Sequence, residues 1–386
     1  MGLKVIGHIR DLILPSSQPV NGDKMKFATS YGIFAITAVA LAMLGTQPLR
    51  AQETKESVTV DGVDRQFMVR LPRGYDAQQH YPVVIMLHGM NQDPDDIERL
   101  TRFDELADKD SVIVIYPAAL HGRWNVGVHP ELRQPMMGPG PRRRRGYPGG
   151  GYPGGGYPGG GYPGGGGGYP GGQRPNREPD QEHRQGPSDD IAFFNKMLDQ
   201  IGSKVSADSS RIYAVGLSEG GFMSLRLGCA LSDRIAAVAA VGADMPKTMI
   251  CVPTRPVPLL MMNGTSDPVV PYGGGTEHNL NLRTLSAEDS AKAWAKIDHC
   301  AEKPEHSKLP KGKGGMETKV DTYGGCQQNS QVVLYSVKGG GNTWPGGEQY
   351  EAENAIGKTS SDLDANQVIW SFLVTRKLGT ENANQK

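Results

Sequence analysis

The sequence predicts an α/β protein with a mainly parallel sheet flanked by helices, and three observations carry that reading. Short continuous apolar runs, such as Val-Val-Ile-Met-Leu at 83–87, are typical of strands buried on both faces. Stretches with apolar residues three and four apart separate these runs, as helices between parallel strands require. Of 386 residues, 37% are hydrophobic, and 20 of the 52 glycines crowd into the stretch 138–186. Outside that stretch the composition is that of one ordinary globular domain.

The elements follow in order. Residues 57–60 and 65–71 alternate apolar and polar around Asp61-Gly62, an opening β-hairpin. After the buried strand at 83–87, Asp93-Pro94 caps a helix with apolar positions Ile97, Leu100, Phe103 and Leu106. Residues 112–116 form the next strand. Ser188 is expected to cap a helix with the stripe Ile191, Phe194, Leu198, Ile201 and Val205. Further buried strands are predicted at 211–215, 235–241, 258–262 and 331–337, and helices at 220–231, 287–297 and 363–376.

Lys and Arg total 41 and Asp and Glu total 41, which argues against a dedicated nucleic-acid binder. No run of eighteen apolar residues occurs, so a multi-span membrane protein is excluded. The N-terminus reads as an export signal over residues 1–51. Lys24 and Lys26 supply its positive region, Ile33 to Leu44 its apolar region, and Leu49-Arg50-Ala51 a weak cleavage site. Met25 is an alternative start, and an uncleaved anchor is the alternative fate. An extracellular or periplasmic location follows, with no membrane span once the signal is removed, and residues 52–386 form the predicted domain. Cys229, Cys251, Cys300 and Cys326 all follow the signal, and an even count in an exported chain suggests two disulfides. Sequential pairing closes the shortest loops and is preferred among the three connectivities. No Cys-x-x-Cys pair or His cluster supports a metal site instead.

Residues 138–187 break the pattern. Tyr-Pro recurs at 147, 152, 157, 162 and 169 with Gly between, and Arg142 to Arg145 precede it. No Val, Ile or Leu lies between Gly138 and Asp190, so this low-complexity insert is expected to be disordered. It reads either as an arm contacting cell-wall polymer or polysaccharide, or as a tolerated loop expansion.

The chemistry sits in Gly216-Leu217-Ser218-Glu219-Gly220-Gly221, a G-x-S-x-G motif between a predicted strand and a predicted helix. Small residues there allow a sharp turn that lifts the Ser218 hydroxyl clear of the strand. Asp267 follows the strand at 258–262 and stands in the Ser…Asp…His chain order of such sites. The strand at 83–87 ends in His88-Gly89-Met90, so the backbone N–H groups of Met90 and Glu219 are the expected oxyanion donors. His88 is read as structural. Trp124 and Trp344 are read as candidate walls of the substrate cleft, with core packing the alternative.

Leu87-His88-Gly89, Gly122-Arg123-Trp124-Asn125, the Ser218 motif, the Gly264–Tyr272 motif and Gly339-Gly340-Gly341-Asn342-Thr343-Trp344-Pro345-Gly346-Gly347 together resemble the exported polyhydroxybutyrate depolymerase-like and feruloyl esterase-like α/β-hydrolases. The resemblance runs from about residue 57 to 376 and skips the insert. It implies a disulfide-bearing serine esterase acting on polyesters or on acyl esters of polysaccharide, with no cofactor and no metal. One departure stands out: the resembled family carries its catalytic His where this chain has Asn342. A carboxamide has no basic nitrogen near neutral pH and cannot take the Ser218 proton. A milder departure is Asn263, where that family often has His.

Three explanations compete. His278 or His121 could complete the site. Water or a carboxylate, Glu219 included, could serve a slow esterase, although Glu219 follows the nucleophile and is a poor base. Or the chain is a pseudoenzyme that keeps its cleft as an envelope polymer- or ligand-binding protein; a surface-interaction protein working through the Tyr-Pro-Gly arm is a weaker variant.

Overall fold

The computed structural model describes residues 51–127, 189–277 and 279–379. The signal, the low-complexity insert, Ser188 and His278 therefore lie outside the described residues. Strands β1 (Gln52–Val60) and β2 (Val63–Leu71) form the opening hairpin, turned by Asp61 and Gly62 at positive φ. Then come β3 (Tyr81–Leu87), helices α1 (Pro94–Thr101) and α2 (Phe103–Asp110), and β4 (Ile113–Pro117). Helix α3 (Asp190–Lys204), β5 (Ala207–Leu217), α4 (Glu219–Ala230), β6 (Ala237–Val241) and β7 (Leu259–Gly264) follow. A small hairpin of β8 (Gly275–Glu277) and β9 (Leu282–Thr284) precedes α5 (Ala287–Ile297). The chain closes with β10 (Glu305–Leu309), β11 (Thr318–Tyr323), β12 (Val332–Val337), the short α6 (Glu353–Ile356) and α7 (Ala365–Leu373).

Among the described residues one ten-stranded sheet runs in the order β1-β2-β4-β3-β5-β6-β7-β12-β11-β10. From β4 through β12 the neighbours are parallel, and antiparallel pairs finish both edges. Alternate residues of each central strand feed two cores. Val83, Ile85 and Leu87 pack with α3, α4 and α5 on one face; Val84 and Met86 pack with α1, α2 and α7 on the other. This is the α/β-hydrolase fold that the sequence predicts.

Two local expectations need correction. The predicted helix from Pro94 through Leu106 is broken in two, because Arg102 takes φ 51° and caps one helix while opening the next. Asp189 rather than Ser188 caps α3: its Oδ1 accepts from the Ala192 N–H at 3.0 Å. Both predicted disulfides are present, Cys229–Cys251 and Cys300–Cys326. The first ties α4 to the β6–β7 connection; the second ties the end of α5 to the turn after β11. No helix among the described residues is long and apolar enough to cross a membrane.

Candidate active site

Parallel packing gathers the candidate residues at one edge of the sheet. In register, Leu87 pairs with Gly216, Leu217 with Val241, Val241 with Met262, and Met262 with Tyr335. The residues just past these carboxyl ends therefore share one rim, where open α/β sheets hold their ligands.

Ser218 sits on a strained bend, at φ 55° and ψ −118°, between β5 and α4. Its N–H donates to the Val241 carbonyl at 2.8 Å, and no described side chain binds its hydroxyl, which stays partly exposed. The flanking glycines are sterically forced. A Cβ at Gly216 would lie 2.3 Å from the Gly220 backbone, and one at Gly220 would lie 2.2 Å from the Leu87 carbonyl. That contact also locks β3 against the head of α4. Gly89 comes beside the carbonyl of Leu217, the residue before Ser218: a Cβ at Gly89 would lie 3.6 Å from it. Met90's N–H donates to no described acceptor, and Glu219's N–H is the first of the four that a helix leaves without an internal partner. Among the described residues, neither N–H thus has a backbone acceptor.

Asp267 is buried and fully engaged. Its Oδ1 accepts from the Val269 and Val270 N–H groups, each at 2.8 Å, and its Oδ2 from Asn342 Nδ2 at 2.8 Å. Burial pushes its pKa up to about 6 against the pull of these hydrogen bonds, and nearby Glu277 adds to the rise. Asn342 is 1% exposed and also donates to the Gly242 carbonyl at 3.1 Å, while its Oδ1 is buried without a partner. Gly242, at φ +58°, makes room: a Cβ there would lie 2.8 Å from Asn342 Nδ2. Ser218, through Val241, and Asn342, through Gly242, thus hold adjacent peptide carbonyls of one turn. The carboxamide is thus bound to the acid and to the turn that follows β6.

Other predicted residues divide. His88 is buried, donates from Nδ1 to the Gly89 carbonyl at 2.7 Å and accepts at Nε2 from the Ala119 N–H at 3.1 Å. This network fixes a neutral imidazole, and burial holds its pKa below the usual range. The structural reading of His88 therefore fits. His121 is exposed and makes none of the Asp267 contacts. Both tryptophans contradict the cleft-wall expectation. Trp124 is 2% exposed and packs on Phe194 with its Nε1 donating to the His88 carbonyl; Trp344 is 1% exposed and donates to Asn366 Oδ1. Their indole N–H groups have partners inside the protein, so both rings anchor loops rather than face a ligand.

Sequence reasoning named Asn263, Arg123 and Glu219 but missed Asp244 and the pairings among them. Asn263 Nδ2 donates to Asp244 Oδ1 at 3.1 Å, and burial with a contribution from Asp267 raises the Asp244 pKa well above the usual range. Arg123 Nε donates to Glu219 Oε1 at 3.1 Å. Nothing in their spacing marks these pairings; only Gly242, just past an apolar strand, carried a usable signal.

Two family models match the chain: one described as phospholipase/carboxylesterase over residues 175–309, and the Esterase model over residues 58–141. Feruloyl esterase B of Piromyces equi is 34% identical over 162 residues, which are 40% of this chain and 29% of that protein. Over these spans the chain is similar to phospholipase/carboxylesterase-type and feruloyl esterases. Among the other feruloyl esterases it resembles, feruloyl esterase D of Neurospora crassa is 29% identical over 153 residues, 39% of this chain and 47% of that protein. The chain thus spans under half the length of these two curated relatives. A solved ferulic acid esterase of Anaeromyces mucronatus, in complex with ferulic acid, aligns over 86% of this chain and 92% of its own, at 16% identity and a TM-score of 0.43.

Proposed function

We propose that this chain is an exported carboxylic ester hydrolase that works through an acyl-enzyme on Ser218. The Ser218 oxygen attacks the ester carbonyl, a C–O bond forms, and the tetrahedral oxyanion is held by the N–H groups of Met90 and Glu219. The alkoxide then leaves with the serine proton, and water releases the acid by the reverse sequence. Asp267 is the orienting carboxylate. The substrate class is feruloyl or acetyl esters of polysaccharide, with polyhydroxyalkanoate-type polyester second. Export is supported by the signal-like N-terminus and by the two disulfides. The Tyr-Pro-Gly insert is proposed as a contact for wall polymer.

The observation that carries the reading is the strained bend at Ser218, with the Met90 and Glu219 N–H groups left without a backbone acceptor among the described residues and Asp267 tied to Asn342. The proton must reach a group other than Asn342. Glu277 is buried and acts electrostatically on both Asp267 and Glu219, so the residue that follows it, His278, merits a variant of its own. The test combines a fluorophosphonate probe with a short chromogenic ester on wild type, Ser218→Ala, Asn342→His and His278→Ala. Asn342→His is expected to raise turnover by orders of magnitude, since loss of a triad base costs roughly 10⁶ in kcat. An unchanged Asn342→His with a silent His278→Ala would assign the base to His278. Absence of labelling in wild type and Asn342→His alike would overturn the hydrolase reading in favour of a binding protein.

A further inference from the structure

Glu219 poses a problem for any oxyanion at this rim. Its N–H is a proposed donor, yet its side chain is a carboxylate, 1% exposed, one residue from the nucleophile. A bare negative charge there would oppose the charge that develops in the transition state. Glu277, on β8, is a second buried acid acting on it. Among the described residues, the cation that pairs with Glu219 is Arg123, on the loop after β4, whose Nε lies 3.1 Å from Oε1. That loop is fixed against the other oxyanion donor. Asn91, next to Met90, donates to the Gly122 carbonyl at 2.9 Å, and a Cβ at Gly122 would lie 3.3 Å from Asn91 Cα. Trp124, next along, is bolted to the His88 carbonyl at 2.9 Å. One short loop thus grips residues that adjoin both donors.

We propose that Arg123 is a positioning residue for the oxyanion hole: it holds the Glu219 carboxylate in an ion pair beneath the β4 loop and cancels its charge, so that the Glu219 N–H can receive an oxyanion. This rests on the ester-hydrolase reading above. Burial, opposed by Arg123, puts the Glu219 pKa at about 7. Without Arg123 the carboxyl loses its largest stabilising partner and titrates higher still. Its uncompensated charge then appears only as pH rises, and the rate falls with it.

The experiment is a pH profile of kcat/KM between pH 6 and 9.5 on a chromogenic ester, run in wild type and in the Asn342→His background. Arg123→Ala is expected to match its parent within about threefold at pH 6 and to lose on the order of 10–100-fold at pH 9.5, a share of what one oxyanion donor contributes. Arg123→Lys, which keeps a cation, should retain the parental profile. The double variant Arg123→Ala/Glu219→Gln should abolish the alkaline fall, because no charge is left to compensate. A purely structural role for Arg123 predicts a loss equal at every pH and not relieved by Glu219→Gln; either result overturns the proposal while leaving the hydrolase reading intact. Lack of turnover in both parents removes the hydrolase reading, and the proposal with it.

Discussion

At the scale of single residues, the candidate site is a set of side chains held in place by backbone groups. Asp267 accepts three hydrogen bonds, Ser218 sits at a strained bend, and Asn342 donates to Asp267 while its Oδ1 stays unpaired. Gly242 makes the arrangement fit. An alanine at 242 would hold a left-handed φ of +58° and press its Cβ on Asn342 Nδ2. Gly242→Ala is therefore expected to lower stability by about 1–3 kcal/mol, read as a shift of the urea midpoint at constant slope. A neutral outcome would mean that the turn relaxes without cost.

At the scale of elements, the joints of the chain are fixed locally. Asn125 donates from its N–H to Asp190 Oδ2 at 2.6 Å, so residues close to either end of the stretch 128–188 are already held together. Deleting residues 138–187 while keeping short flanks is expected to move the thermal midpoint by no more than a few degrees, because loop-closure entropy grows slowly with length. A large drop in calorimetry would show that the insert packs. The same local view explains what could be read from sequence. Strands β3 to β7 and β12 were legible because burial on both faces writes an unbroken apolar run, and Ser218 and Asp267 because each follows such a run directly. Strand β10 (Glu-His-Ser-Lys-Leu) was illegible: it is an exposed edge strand held by pairing with β11, and its side chains carry no burial signal. The break at Arg102 and the Arg123–Glu219 pair were hidden for a related reason, since each depends on a tertiary contact or a single dihedral rather than on periodicity. The tryptophans misled because an aromatic in a rim loop looks the same whether it faces in or out.

At the scale of the whole molecule, buried acids set the pH response. Burial raises Asp267 and Asp298 to about 6, and Asp244 further. A carboxyl whose pKa rises on folding binds protons more tightly in the folded state. Its contribution is greatest below the unfolded value near 4 and is lost as pH rises through about 6. Thermal stability is thus expected to increase as pH falls from 7 toward 5, by on the order of 1–1.5 kcal/mol for each of Asp267 and Asp298, about half of the full effect. Asp267→Asn and Asp298→Asn should each flatten that slope. Asp108 and Asp208 work oppositely: burial pushes them up, but Arg70 and Arg211 among their partners outweigh it, so their support disappears only in stronger acid. A midpoint that declines steadily from pH 7 to 5 would contradict this balance. The seat of Asn342 also bears on laboratory evolution. Asparagine and histidine codons differ by one base, and the surroundings of residue 342 offer an acid and a side-chain-free turn. Under selection for ester turnover, a library of random point changes is expected to yield histidine at this codon before it finds any other gain.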